Sequence, residues 1–236
     1  MNLLLLRDDD FLSDGTARLT GRRLVHAREV LKAGAGDTLR VGRWGGKVGL
    51  AKVLPSGADE LLLEVTLDSE PPPRAGIDLV LALPRPKALK KVLPAVAALG
   101  VNRLFLVNAA RVEKSYFDSK WLAPSAVQEL FDLGLEQAKD TVAPQVELRE
   151  RFRPFVEDEL GALLSATPTR IVAHPTARER LGPRPGPVAL ALGPEGGWVP
   201  FELELLAAAG FTPITLGPRI LRVEVAVPYA LGALSR

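Results

Sequence analysis

The sequence predicts two domains: a small, mostly β barrel, then an α/β domain built on a mostly parallel sheet. Three observations predict this. The run Pro71-Pro72-Pro73, continued by Arg74-Ala75-Gly76, is a seam that cannot lie inside a sheet, because proline fixes its backbone and offers no amide donor. Before the seam, apolar stretches are short and separated by Asp-Gly, Gly-Asp, Gly-Gly and Ser-Gly turn signals. After it, nearly continuous apolar runs alternate with helical patterns, as in parallel strands covered on both faces. The boundaries read this way are 1–70 for the barrel, 71–76 for the linker and 77–236 for the α/β domain.

In the barrel, Leu3 to Leu6, Thr38 to Val41, Lys47 to Leu54 and Glu60 to Leu67 read as strands. One helix is expected from Gly21 to Leu31, with Thr20 as N-cap and Leu24, Val25, Val30 and Leu31 as its buried positions. In the α/β domain, Ile77 to Leu83 is a buried strand, followed by a helix to Leu99 and a strand Arg103 to Val107. A long helix is expected near Ser125 to Lys139, and strands at Arg170 to Ala173 and Val188 to Leu192. Glu202 to Ala209 reads as a helix, Thr212 to Leu216 as a strand and Val223 to Leu234 as a final helix. That last helix, VEVAVPYALGAL, is apolar nearly all round. Such a helix must be covered on most sides, so a second subunit is the expected cover over Val227 and Leu231.

Composition narrows the chemistry. The chain has 236 residues, a net charge of +2, no cysteine and two histidines, His26 and His174. Disulfides, thiolate zinc sites and cysteine nucleophiles are excluded, and no metal is expected. The start MNLLLLRDDD lacks the basic region and apolar length of a signal peptide, and no apolar run reaches the length of a membrane helix. No membrane partner is expected, and the cytoplasm is the expected location. Charge is unevenly spread. From Arg18 to Lys52 nine cations, among them Arg22, Arg23, Arg28 and Arg43, face only Glu29 and Asp37, while the acids cluster at Asp8 to Asp14 and Asp59 to Glu70. Arg85, Lys87, Lys90 and Lys91 form a second block without acids. Basic blocks of this kind suit phosphate contacts or a solvated face.

Two glycine-bearing loops carry the chemistry. Gly193-Pro194-Glu195-Gly196-Gly197 and Leu216-Gly217-Pro218-Arg219-Ile220-Leu221-Arg222 each follow a buried strand directly. In open α/β sheets ligands bind beyond the carboxyl ends of strands, and glycine lets a ligand approach the backbone. The triphosphate motif G-x-x-x-x-G-K-[ST] and the dinucleotide motif G-x-G-x-x-G are both absent. Glu195 reads either as a ligand contact or as a carboxylate that caps the helix after Gly197 or orders the loop. Glu224 reads as a site carboxylate or as a charge favouring a helix N-terminus. Arg222 could bind substrate or pair with Glu224; Arg111 could hold RNA or pair with Glu113. Trp198 could stack on a base or pack in the core, and reads rather as a packing or dimer-contact residue.

GPEGG before a helix, then LGPRILRVEVA and a closing apolar helix, resembles the C-terminal signature of the bacterial 16S rRNA uridine-N3 methyltransferase family, part of the SPOUT superfamily. LALPRPKALKKVLPAVAALGVNRLFLV, Arg111, Trp121, Glu136-Gln137 and Pro144 extend the resemblance upstream, and His26-Ala27-Arg28 to Gly36-Asp37 resembles its PUA-like barrel. The resemblance implies a knotted SPOUT methyltransferase domain with a trefoil knot, a homodimer, and S-adenosyl-L-methionine (SAM) as methyl donor to small-subunit ribosomal RNA. By position, it implies cofactor contacts at His174, Gly193, Pro194, Glu195, Gly196, Gly197, Leu216, Gly217, Ile220, Leu221 and Arg222. Arg222 and Glu224 are the catalytic candidates; Arg22, Arg23, Arg28, Arg43, Arg85, Lys87 and Arg111 are the RNA-binding candidates. The chain departs from the family pattern at Ala95, Ala98, Asp140, Val223 and Val225. Two other readings stand beside the enzyme: a catalytically silent RNA-binding member of the same fold, and a nucleotide-binding oxidoreductase, against which the missing G-x-G-x-x-G counts.

Overall fold

The computed structural model describes residues 2–12 and 15–234; Asp14, in the acidic cluster, and the last two residues lie outside that range. The chain divides into two compact units, Met1–Pro73 with Asp132–Ala143, and Arg74–Phe131 with Pro144–Arg236. The first division falls at the end of the proline run.

The first unit holds β1 (Leu4–Leu6), β2 (Thr16–Leu19), α1 (Gly21–Val25), β3 (Thr38–Arg43), β4 (Val48–Leu54) and β5 (Leu61–Ser69). Its five-stranded sheet has the order β1-β3-β4-β5-β2. β1 runs parallel to β3, and the other pairs are antiparallel. Strict alternation puts Ala51, Val53, Leu61 and Leu63 in the core and Leu50, Lys52, Glu64 and Thr66 outside. β2 escapes sequence reading because only two of its four residues, Ala17 and Leu19, are apolar and buried.

The first helix differs from expectation. It starts after Thr20, but the Thr20 side chain makes no cap bond, and from His26 to Val30 the turns widen to the π form. Leu24 and Ala27 are buried, whereas Val25, Val30 and Leu31 are 51, 63 and 37% exposed. In a widened turn each residue advances less around the axis, so a 3.6-residue spacing no longer carries Val30 and Leu31 under Leu24.

Residues 132–143 complete this unit with ion pairs. Asp132 accepts from Arg7 (2.5 Å) and from the Trp44 indole (3.3 Å). Glu136, buried, accepts both guanidinium nitrogens of Arg22 at 3.3–3.4 Å. Burial pushes the Glu136 carboxyl above its ordinary pKa, and Arg22 pulls it partly back. Asp140 caps the turn that follows by accepting from the amides of Thr141 (2.6 Å) and Val142 (3.0 Å).

The second unit is the α/β one. Its strands are β6 (Ile77–Ala82), β7 (Arg103–Val107), β8 (Gln145–Arg149), β9 (Thr169–Ala173), β10 (Val188–Leu192) and β11 (Thr212–Ile214). All pairings in the order β11-β9-β10-β6-β7-β8 are parallel. The helices are α2 (Pro86–Ala98), α3 (Pro124–Ala138), whose last residues belong to the first unit, the short α4 (Phe152–Pro154) and α5 (Leu160–Leu163), α6 (Pro200–Ala208) and α7 (Val223–Leu234). β8 was not read from the sequence: it is an edge strand, and its two apolar side chains, Val146 and Leu148, are each 39% exposed. Every residue of β6 is buried, including Asp78. Its carboxylate is satisfied by Arg103 at 2.5 and 2.9 Å and by the Thr167 hydroxyl at 3.0 Å, as a buried charge requires.

α7 corrects another expectation. Val223, Val227, Ala230, Leu231 and Leu234 are buried within one chain, and the helix packs on α2. Val227 and Leu231 therefore need no second subunit to cover them. The apolar groups α7 leaves half exposed are Val225 (49%) and Tyr229 (40%), one helical turn apart.

Candidate active site

Parallel strands bring all their carboxyl ends to one edge of the sheet. The strand order reverses at β6, which has β7 on one side and β10 on the other, the place where open α/β sheets bind ligands. Beyond β9, β10 and β11 lies a cavity of about 320 Å³, lined by the turn after β9, the loop after β10, the loop after β11, Arg111, Val223 and Ala226. That volume is within the range of small-ligand pockets, about 300–1,000 Å³.

Of the residues expected at the cofactor, His174, Gly193, Pro194, Glu195, Gly196, Gly197, Leu216, Gly217, Ile220 and Leu221 all line the cavity. Arg222 does not. Its carbonyl accepts from the amides of Val225 (2.8 Å) and Ala226 (2.7 Å), so its backbone starts α7 while its side chain stays exposed. No Arg222–Glu224 ion pair forms. Glu224 is instead 3.9 Å from the Lys91 ammonium; its side chain is 14% exposed and its Oε2 is buried without a hydrogen-bond partner.

The first glycine loop is held from several sides. Gly197 (φ +74°) and, in the second loop, Gly217 (φ +119°) take the left-handed backbone that favours glycine. A side chain at Gly196 would meet Arg111 Cδ at 2.9 Å, and the Arg111 guanidinium donates to the Gly196 carbonyl. The Trp198 indole lies over Gly193 and stacks at 5.4 Å on Phe152. Trp198 is thus a packing residue, as read, but it also lines the cavity, and its buried indole N–H has no partner. Glu195 does not cap α6. It faces Arg85 at 3.7 Å, and the cap comes from Glu202, whose carboxylate accepts from the Val199 amide (2.9 Å) and the Ala110 amide (2.7 Å). Glu202 was missed in the sequence, although Pro200 at the first helical position and an acid two residues on is a helix-start signal. His174 donates its amide to the Ile214 carbonyl (2.8 Å), and its Nδ1 lies 2.9 Å from the Thr176 hydroxyl.

The basic residues divide sharply. In the first unit, Arg22 is held by Glu136, Arg23 clamps Asp10 at 2.5 and 2.7 Å, Arg43 reaches Asp8 at 2.9 Å, and Arg28 donates to the carbonyls of Gly57 and Glu60. These four guanidiniums tie the unit together. In the second unit Arg85 and Arg111 order the first glycine loop, whereas Lys87 is exposed.

An RNA methyltransferase domain model matches residues 70–235, which include the whole cavity lining. The chain belongs to the RNA methyltransferase family. It is 30% identical over 234 residues to the ribosomal RNA small subunit methyltransferase E of Treponema pallidum, covering 96% of this chain and 87% of the relative. Its identity to the protein of the same name from Synechocystis is 29%, over 94% of this chain and 73% of the relative. Its fold is similar to that of a ribosomal RNA small subunit methyltransferase E from Neisseria gonorrhoeae bound to S-adenosyl methionine, with TM-score 0.75, 24% identity and coverage of 99% and 96% of the two chains. A Legionella pneumophila structure of a methyltransferase with bound SAM gives TM-score 0.76 at 20% identity, covering 98% and 95%. Among the described residues of this methyltransferase, no cluster of three or more histidines and acids could hold a metal, and no helix is long and apolar enough to cross a membrane.

Proposed function

We propose that this chain transfers a methyl group from SAM to N3 of a uridine in small-subunit ribosomal RNA. The observation that carries the reading is the single cavity built from both glycine loops at the carboxyl ends of β9, β10 and β11. The residues fit an adenosine-bearing sulfonium. The cavity has apolar walls in Leu192, Leu216, Leu221 and Val223, the residues of both glycine loops in its lining, and an unpartnered indole N–H at Trp198. Bound there, SAM supplies a methyl carbon on a positively charged sulfur, open to in-line displacement.

The protein's share is positioning and proton handling. Uridine N3 must lose its proton as the new N–C bond forms, and the S–CH₃ bonding pair leaves with the sulfur. Glu224 is the candidate acceptor: a largely buried carboxylate with a free oxygen, one residue from Val223 and two from Ala226, both in the cavity wall. Arg222, with its exposed guanidinium, is the candidate group for orienting the uridine or its phosphate. Lys87 and the arginines at 22, 23, 28, 43, 85 and 111 remain the proposed RNA contacts, with Lys87 the one that makes neither an ion pair nor a side-chain hydrogen bond among the described residues.

The same reading includes the finer architecture: a PUA-like RNA-binding barrel over residues 1–70, a linker at 71–76, a trefoil-knotted SPOUT domain over 77–236, and a cytoplasmic homodimer. Val225 and Tyr229 on α7, with Ile220 at 94% exposure beside the cavity, are the apolar groups such a dimer would cover.

Calorimetric titration with SAM, then transfer of labelled methyl to small-subunit rRNA and mass-spectrometric location of the product, tests the reading. Binding without metal and a methyl on uridine N3 are expected, and Glu224→Gln should retain SAM binding while losing turnover. Absence of SAM binding, or methylation at another atom, would overturn it.

A further inference from the structure

We propose that Lys90 and Lys120, both held against the ring of Trp121, form a phosphate clamp for the RNA strand that enters the active site. The inference rests on the methyl-transfer reading above and extends it to substrate positioning. Their ammonium groups lie 4.7 and 5.0 Å from the centroid of the Trp121 ring, so two cations gather around one point. The short helical turn Lys120–Leu122 packs on α2, which carries Lys90. Neither lysine has an ion pair among the described residues, and both are exposed. The ring's π-system attracts each ammonium, and the phosphates of a strand running past the ring would meet both charges.

The location suits a substrate. Lys90 lies on the helix that follows β6 and Lys120 in the segment that follows β7, and both strands run parallel to those beyond which the cavity lies. Two direct contacts join this region to the cavity. Arg85, at the start of α2, reaches Glu195 in the first glycine loop, and Arg111, in the loop after β7, bonds the Gly196 carbonyl. Tyr116 lies on the same loop. Its hydroxyl pKa is raised by burial first, then by Glu113 and by the charge of Glu195. Exposed Lys87, one turn before Lys90 on α2, extends the line of positive charge.

The chemistry points to a single strand. A flexible backbone can run its phosphates past cations fixed on an aromatic ring, and lysine binds them as a point charge. Trp121 acts through the lysines and is a positioning residue.

The test measures binding of single-stranded oligouridylate by anisotropy across a salt series. The Lys90→Gln/Lys120→Gln variant should bind more weakly, and the slope of log K against log salt should become shallower by about 0.7 for each lysine removed. SAM affinity should stay at the parent value. Trp121→Leu should raise KM for RNA with little change in kcat, and Trp121→Phe should restore it. Unchanged affinity and slope in the double lysine variant would overturn the clamp, whether or not Trp121→Leu folds. Failure of the parent chain to bind SAM would overturn the functional reading instead, and the salt-slope measurement would still decide whether the lysines bind RNA.

Discussion

Replacing Glu202 tests how the first glycine loop is held. Its buried carboxylate, 3% exposed, accepts two backbone amides, Val199 N at the start of α6 and Ala110 N in the loop after β7. Alanine would leave both donors without this acceptor. Each such loss costs about 1–2 kcal/mol at a part-buried site, so the substitution should destabilise by about 2–4 kcal/mol. The consequence reaches the cavity because Ala110 adjoins Arg111, whose guanidinium holds the Gly196 carbonyl. With the loop no longer fixed, part of the binding free energy goes into ordering it. A penalty of about 1.4 kcal/mol would weaken SAM tenfold. Glu202→Gln should fall between the parent and the alanine variant, since one amide oxygen can still accept while the charge is gone. Denaturant unfolding measures the first effect and calorimetric titration the second. A Glu202→Ala protein with parental stability and parental SAM affinity would refute the reasoning, because it would mean that neither amide depends on this carboxylate.

Three further outcomes are expected. Gly197→Ala, forced into a left-handed backbone at φ +74°, should lose about 1–2 kcal/mol and weaken SAM; a parental titration curve would count against the loop's role. On α7, Val225→Glu with Tyr229→Lys should yield folded monomer by light scattering, whereas Val227→Asp, at a fully buried position, should unfold the chain by more than about 4 kcal/mol; a folded Val227→Asp monomer would contradict the packing on α2. For Glu136 the folded carboxyl binds its proton more tightly than the unfolded one, so its contribution is most favourable below the ordinary value of 4.5 and is lost as pH rises through the raised folded value. Glu136→Gln should remove that decline from the stability–pH curve, and identical slopes in the two proteins would show that burial there is not limiting.

Much of the fold was legible because burial on both faces writes long apolar runs. β6 and β10 contain hardly any other residue type, and their limits could be read nearly to the residue. Elements with one open face left weaker traces. β8 alternates apolar and polar side chains at a sheet edge, and β2 has only Ala17 and Leu19 to announce it. The joining of residues 132–143 to the first unit was not legible at all. It depends on Asp132 and Glu136 meeting Arg7 and Arg22, more than a hundred residues away, and no local pattern encodes a partner at that distance. The partners of the basic stretch from Arg18 to Lys52 were hidden for the same reason: four of its arginines also bond distant carboxylates or carbonyls.

The cavity was the opposite case, because close backbone approach leaves glycine at fixed places in sequence. Both loops could be named, but the side chains that hold them could not, since Glu202, Arg85 and Arg111 act across elements. The five departures from the family pattern can now be weighed by position. Asp140 is occupied capping a turn in the first unit, and Val225 is half exposed on α7. Ala95 and Ala98 stand in the later part of α2, and neither lines the cavity. Val223 alone lines it, as an apolar, 6% exposed wall residue. A silent protein would need the loss of groups that touch cofactor or substrate. Here both glycine loops that line the cavity remain, and four of the five departures lie outside its lining, so the arrangement favours an active methyltransferase over a silent RNA-binding relative.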